Sequence, residues 1–379
     1  MADPETHEQN LRAAQINIKD LLEGERPRLI DEWQEVPKFW DAVRYAVDHS
    51  DADGQFILTG SAVPPDSNDI VHTGTGRIAK LRMRPMTLWE SGESSGGVSF
   101  ASLFAGEPLT TAPAKAWRLK DIAHLTCRGG WPRAVLQKPE ISLDRAFEYY
   151  EAVVGSDISR VDKVPRDPER VKRLMRSYAR LQGTQSNLSA IRKDMKEHDV
   201  KTLDEDTVGS YLKALRKIFV VEDMPAWSPC LRSKAVVRTS DTRYFSDPSI
   251  ATAAMELGPG ALMNDLRSFG YFFETLVVRD LRTYAEANLG SVSHYLDKNG
   301  LECDAVMRVR SGAYGLIEIK LGGEDLIEEA AKTLRSLAQI IDTDKMQEPT
   351  FRMVVTATGD LAYRRKDGVI VCPIGCLCP

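Results

Sequence analysis

Apolar residues recur three and four apart over residues 11–22 and 39–47, which predicts helices, whereas 28–32 and 55–61 are short apolar runs that predict strands. The first run ends in Asp31-Glu32 and the second in Thr59-Gly60-Ser61, so polar groups stand at both strand ends. Strand, helix, strand at this spacing is the grammar of a parallel sheet in an α/β domain. Open α/β sheets bind ligands outside the carboxyl ends of their strands. Small residues and prolines over 108–113 break the pattern and mark a boundary.

Helical spacing returns over residues 118–159, interrupted by the tight turn Cys127-Arg128-Gly129-Gly130-Trp131-Pro132. Three further helical stretches, 168–181, 187–196 and 206–218, precede strand-like pieces at 219–222 and 236–245. Three helices and a ribbon is the order of a winged helix-turn-helix, with Asp206 the expected cap of the third helix. Lys213, Arg216, Lys217, Arg232, Lys234, Arg238 and Arg243 lie around that helix. They are enough to meet the phosphates of DNA; the same charges also suit a solvated helix face on a domain packed against its neighbours. Tyr244-Phe245-Ser246-Asp247-Pro248-Ser249 predicts a strand-to-helix turn.

From residue 271 the pattern predicts a helix (271–287), three strands (292–296, 301–309, 315–321), a helix (325–341) and a strand (351–356). Asn299-Gly300 is the strongest short hairpin signal. Strict alternation sets Leu301, Cys303, Ala305 and Met307 on one face and Glu302, Asp304 and Val306 on the other, with Glu318 and Lys320 sharing a face of the next strand. A hairpin of this register brings Asp304, Glu318 and Lys320 to one side of the sheet.

Composition narrows the chemistry. A chain of 379 residues argues for two or three domains rather than one, and the formal net charge of −5 confines any nucleic-acid contact to a local patch. Six scattered cysteines, a polar start and no long apolar run predict a cytoplasmic protein with reduced thiols and no membrane partner. The six histidines stand at no metal-ligand spacing, and G-x-S-x-G is absent, which excludes zincin-type and serine-hydrolase chemistry. Cys372, Cys376 and Cys378 lack Cys-x-x-Cys spacing and are expected to be free thiols.

Adjacent acids at a strand end suit phosphoryl chemistry, one holding Mg²⁺ and its neighbour orienting water, although a loop that merely opens with two charges also fits. Leu29-Ile30-Asp31-Glu32 with Trp33-Gln34-Glu35-Val36-Pro37 resembles the Walker B segment of AAA-superfamily ATPases, and Phe56-Ile57-Leu58-Thr59-Gly60-Ser61 resembles their sensor strand. Gly76-Arg77-Ile78 and Leu81-Arg82-Met83-Arg84-Pro85-Met86-Thr87-Leu88-Trp89-Glu90 resemble a prokaryotic subfamily that carries a C-terminal domain of unknown function. The resemblance implies ATP and Mg²⁺ as cofactors, Asp31 and Glu32 as catalytic acids, Ser61 and Arg77 at the nucleotide, and a homo-oligomer in which Arg77 reaches a neighbouring subunit. A core-edge or surface arginine is the other reading of Arg77. One departure dominates: no Gly-Lys dipeptide occurs in the chain, so the phosphate loop G-x-x-x-x-G-K-[ST] is missing. The chain therefore resembles an N-terminally truncated member, expected to bind and hydrolyse ATP poorly.

The element order from residue 271, with Asp304 and then Glu318-Ile319-Lys320, resembles the PD-(D/E)XK nuclease fold, and Glu274 matches that fold's helical acid. The resemblance implies that Asp304 and Glu318 bind Mg²⁺ and that Lys320 positions or deprotonates the attacking water. The expected fold is thus α/β and multidomain: a truncated AAA-type parallel-sheet core (1–110), a helical lid (111–162), a winged helix (163–262) and a nuclease-like αβββαβ domain (263–379). Two functions follow beside the impaired ATPase: Mg²⁺-dependent DNA cleavage, or non-catalytic binding of DNA or protein as a regulator.

Overall fold

The computed structural model describes residues 5–62, 74–109, 111–198, 203–229, 240–341 and 346–379. It is a mixed α/β structure in two compact units. Met1–Met83, Ser156–Arg166 and Lys213–Phe219 form the first; Arg84–Gly155, Asp167–Leu212 and Val220–Pro379 form the second.

The first unit contains α1 (His7–Asn17), β1 (Arg28–Asp31), α2 (Phe39–Asp48) and β2 (Phe56–Thr59). β1 and β2 pair in parallel from Arg28↔Phe56 to Asp31↔Thr59, as the βαβ pattern predicts. Phe39 and Val43, one turn apart on α2, pack with Ile30 of β1 and with Ala14 and Leu22. The opposite face of the ribbon leaves Leu29 61% and Ile57 49% exposed.

The second unit contains α3 (Leu119–Arg128), α4 (Asp144–Ala152), α5 (Pro168–Arg180), α6 (Leu188–His198), α7 (Glu205–Lys217, ending in the first unit), α8 (Pro248–Ala254), α9 (Leu266–Ala287) and α10 (Glu324–Ile340). The three helices expected of the middle segment are α5, α6 and α7. Asp204, not Asp206, caps α7: its carboxylate accepts the Thr207 N–H at 2.7 Å and the Thr207 hydroxyl at 3.0 Å. A cap must stand just outside the helix, whereas Asp206 lies within the first turn, where its charge favours the helix dipole instead. The expected ribbon appears as antiparallel bridges Val221–Phe245 and Met224–Thr242. Residues 230–239, with Arg232, Lys234 and Arg238, lie outside the described residues.

Strands β3 (Val98–Ser99), β4 (Ala112–Pro113), β5 (Gly290–Leu296), β6 (Glu302–Val309), β7 (Tyr314–Lys320), β8 (Phe351–Thr356), β9 (Leu361–Arg364), β10 (Ile370–Pro373) and β11 (Leu377–Cys378) complete this unit. Seven of them form one sheet in the order β4-β9-β10-β8-β7-β6-β5. β5, β6 and β7 are antiparallel, whereas β8 runs parallel to both β7 and β10. Ala330, Ala331, Leu334 and Leu337 of α10 bury against Val306, Leu316 and Val354 from three of these strands. Residues 84–109, read from the sequence as the end of the first domain, group with this unit. Val98 pairs with Leu377 and Ala112 with Ala362, so the proline-marked break itself supplies an edge strand, β4, of the large sheet.

Candidate active site

The antiparallel pairing of β6 with β7, from Arg308↔Tyr314 to Ala305↔Ile317, delivers Asp304 beside Glu318. The Asp304 carboxylate accepts the Ile319 backbone N–H at 2.7 Å and the Lys320 ammonium at 3.2 Å, and Lys320 lies 2.8 Å from Glu318. The three residues expected to meet therefore do. Strict alternation along β6 does not hold, however. Between the pairs Tyr295↔Cys303 and Ser293↔Val306, β5 advances by two residues and β6 by three, and Cys303 and Val306 join one apolar cluster instead of opposite faces. The extra residue is a bulge at Asp304-Ala305; bulges re-aim side chains and recur beside active sites.

Burial and charge set the protonation of Glu318 and Lys320. Glu318 is 4% exposed, and burial together with the nearby Asp304 charge pushes its carboxyl up to about 8, against the pull of Lys320. Burial works against the Lys320 ammonium, but Asp304 and Glu318 outweigh it and hold the amine protonated above its ordinary range. Mg²⁺ takes one or two carboxylates and keeps most of its waters. The Asp304–Glu318 pair fits that demand, and Lys320 now supplies the positive charge a cation would bring. Among the described residues no group of three or more His, Cys, Asp or Glu side chains could hold a metal ion, so the pair of carboxylates stands without a third acid ligand.

Glu274 stands on the preceding helix, α9, which Asp265 caps by accepting the Ser268 N–H at 3.1 Å. Burial, then the Asp304 charge, raises its carboxyl well above the usual range. Its carboxylate accepts the hydroxyl of Tyr244, a residue from the middle segment. No sequence signal pointed to Tyr244, because the contact spans 30 residues and joins two segments with separate patterns.

At the carboxyl ends of β1 and β2, Thr59 donates its hydroxyl to Asp31 at 2.6 Å, and Ser61 donates to Glu32 at 3.3 Å. Gln34 also donates to Glu32, which sits in the left-handed region at φ 52°. Gly60 allows this closure, since a Cβ there would lie 2.1 Å from the Gln34 carboxamide oxygen. Asp31, Glu32 and Ser61 thus gather at one end of the ribbon. Arg77 does not join them: it pairs with Asp48 of α2 at 2.7 Å. Lys213 and Arg216 are exposed on α7, and Lys217 is half-buried. Cys372, Cys376 and Cys378 are free thiols, all buried.

A second buried constellation was not anticipated. Arg279, 1% exposed on α9, pairs with Asp247 at 2.9 Å and Asp280 at 2.8 Å. Asp247 also accepts the Gly130 N–H at 2.9 Å and caps α8 through the Ser249 N–H at 2.9 Å, and Asp280 accepts the Leu88 N–H at 3.0 Å. The segments 84–90, 127–132 and 244–249, noted in the sequence as three separate short motifs, thus converge on one arginine. The signal for it was a charged pair, Arg279-Asp280, inside an otherwise apolar helical run.

With this geometry in hand, similarity to known families gives the wider class. Residues 1–91 match an AAA domain, residues 119–261 a domain of unknown function (DUF8612), and residues 269–377 another domain of unknown function (DUF4143). The N-terminal and C-terminal matches together support an AAA-type ATPase-like protein, and an AAA domain suggests use of ATP and Mg²⁺. No curated protein matches the chain. Among the described residues no helix is long and apolar enough to cross a membrane.

Proposed function

We propose that this AAA-type ATPase-like chain carries a Mg²⁺-dependent phosphodiester-cleaving centre of the PD-(D/E)XK kind in its C-terminal domain, with DNA as substrate. The observation that carries the proposal is that Lys320 lies 3.2 Å from Asp304 and 2.8 Å from Glu318 at a bulged hairpin. Asp304 and Glu318 would hold the cation. Bound Mg²⁺ would supply polarisation of the phosphate and a more acidic bound water. Lys320, held protonated with Asp304 and Glu318 facing it, would place charge beside the reacting phosphate, and it is a poor proton acceptor there. Exposed Lys213 and Arg216, one turn apart on α7 with Lys217 beside them, suit contact with the DNA backbone.

The test is cleavage of supercoiled DNA by the full chain with Mg²⁺ and with EDTA. Nicking that EDTA abolishes is expected; no nicking with either Mg²⁺ or Mn²⁺ overturns the proposal.

Nucleotide chemistry at Asp31, Glu32 and Ser61 lacks its main source of binding energy without the Gly-Lys phosphate loop, whose N–H groups and lysine grip the phosphates. Calorimetry of this chain with ATP and Mg²⁺ is expected to show a Kd no tighter than about 1 mM. Micromolar binding would show that other residues replace the loop.

A further inference from the structure

We propose that the tip of the β9–β10 hairpin contacts the backbone of duplex DNA, with Arg364 and Lys366 each meeting a phosphate. The proposal shares its ligand with the cleavage reading above but stands whether or not Asp304, Glu318 and Lys320 cleave. Arg364-Arg365-Lys366 is the only run of three consecutive Lys or Arg in a chain whose formal net charge is −5. The Arg365 N–H donates to the Val369 carbonyl at 2.8 Å and the Gly368 N–H to the Arg365 carbonyl at 3.0 Å, while the Asp367 carboxylate accepts the Val369 N–H at 3.2 Å. These bonds fix the turn that carries the run.

Only the middle cation is committed to that turn. Arg365 pairs with Asp367 at 3.1 Å and with Glu328 of α10, and Arg335 of α10 lies 3.6 Å from each of the same two acids. Both acids are thus taken. Arg364, on the other face of β9, donates to the Gly368 carbonyl at 3.3 Å, and Lys366 is exposed with no acid paired to it among the described residues. Arg352 of β8 joins the cluster, since a Cβ on Gly368 would lie 3.5 Å from its Nη2. Five cations therefore meet two acids here, which leaves an excess of positive charge at the tip. Tyr363, 41% exposed, precedes the run, and tyrosine hydroxyls are among the groups that bind phosphate and sugar.

Shape favours a duplex over a small anion. The major groove admits a two-stranded β-ribbon. The tip also shares its sheet with Lys320: Ile370 stands level with Ile317 through Met353, Lys320 lies three residues on, and Gly368 lies two residues back. With β8 between β10 and β7, that separation is roughly 20 Å. A mononucleotide cannot reach both places, whereas a duplex carries a charge about every 1.7 Å along its axis. A turn already fixed by its own bonds loses little freedom on contact.

The experiment is binding of a fluorescent duplex of about 20 base pairs to the full chain with EDTA, by anisotropy, between about 50 and 200 mM salt. Wild type is compared with Arg364→Gln/Lys366→Gln and with Arg133→Gln/Lys138→Gln, an equal change of charge at exposed positions elsewhere. The hairpin pair is expected to weaken binding at least about tenfold and to lower the slope of log K against log salt by about 2. The control is expected to stay within about twofold, and the unfolding midpoint of both variants to stay at the wild-type value. Equal losses in the two variants, or none in the hairpin pair, overturn the proposal, as does wild type that binds no DNA. Loss of binding to phosphatidylserine vesicles with DNA binding kept would assign the tip to a lipid surface and overturn it too. Should the hairpin pair not fold, Lys366→Gln decides alone, by a slope lower by about 1 or unchanged. Wild type that binds through this tip but never nicks DNA refutes the cleavage reading and leaves the contact standing.

Discussion

Asp304→Ala and Lys320→Ala are each expected to lower Mg²⁺-dependent nicking of supercoiled DNA by about 10²–10³-fold, the loss typical of one charge-stabilising group in a catalytic centre. The two changes act differently. Asp304→Ala removes a carboxylate from the pair suited to the cation and frees the Ile319 N–H, so added Mg²⁺ should not restore the rate within its useful range. Lys320→Ala leaves both carboxylates but removes the charge beside the phosphate, so the metal should still bind. Lys320→Ala is also expected to fold at neutral pH. Without the ammonium, Asp304 and Glu318 repel, and Glu318 relieves this by staying protonated, the direction in which burial already pushes it. Agarose-gel assays of nicked product against time, paired with Mn²⁺ calorimetry, separate the two losses. Cleavage that survives both changes sinks the assignment. Wild-type DNA binding without cleavage, dependent on Lys213 and Arg216, would instead leave a non-catalytic regulator.

The elements that were legible in the sequence are those with room for a period. The βαβ opening and the order from α9 to β8 carry ten or more residues per helix or clear strand runs, and each formed within a few residues of its expected place. What escaped was short or depended on distant partners. β3, β4 and β11 have two residues each, too few for any alternation, and they exist only because a remote strand offers its edge. The β9–β10 hairpin could have been found: Asp367-Gly368 sits between Leu361-Ala362-Tyr363-Arg364 and the apolar run Val369-Ile370-Val371, which is a standard turn signal. The candidate site shows the same division. Asp304, Glu318 and Lys320 met because hairpin register follows from local sequence, and the bulge altered which face their neighbours occupy without separating them. Tyr244 and Asp247 were invisible as partners because burial and tertiary contact, not spacing, bring them to Glu274 and Arg279.

Arg279→Met is expected to destabilise the second unit by about 3–5 kcal/mol, the cost of breaking a buried ion group by removing one partner. Methionine keeps most of the side-chain volume, so cavity formation contributes little and the loss isolates the charge. Two carboxylates would be left with no cation. Asp280 is fully buried, and burial already raises its carboxyl despite the arginine; without Arg279 it would take up a proton, and Asp247 would keep only its bonds to Gly130, Ser249 and the α8 N-terminus. Adding Asp280→Asn to Arg279→Met should therefore recover part of the loss, since a neutral amide can still accept the Leu88 N–H at little desolvation cost. Gly130→Ala should act at the same place by another route: a Cβ there would stand 2.1 Å from the Met86 carbonyl and break the 2.7 Å bond from the Met86 N–H to the Gly130 carbonyl. Urea unfolding followed by circular dichroism measures all three, and an Arg279→Met loss below about 1 kcal/mol would mean that the group is no better than a surface pair. Arg279 and Glu274 share α9, so the arginine that ties segments 84–90, 127–132 and 244–249 together also anchors the helix that carries Glu274.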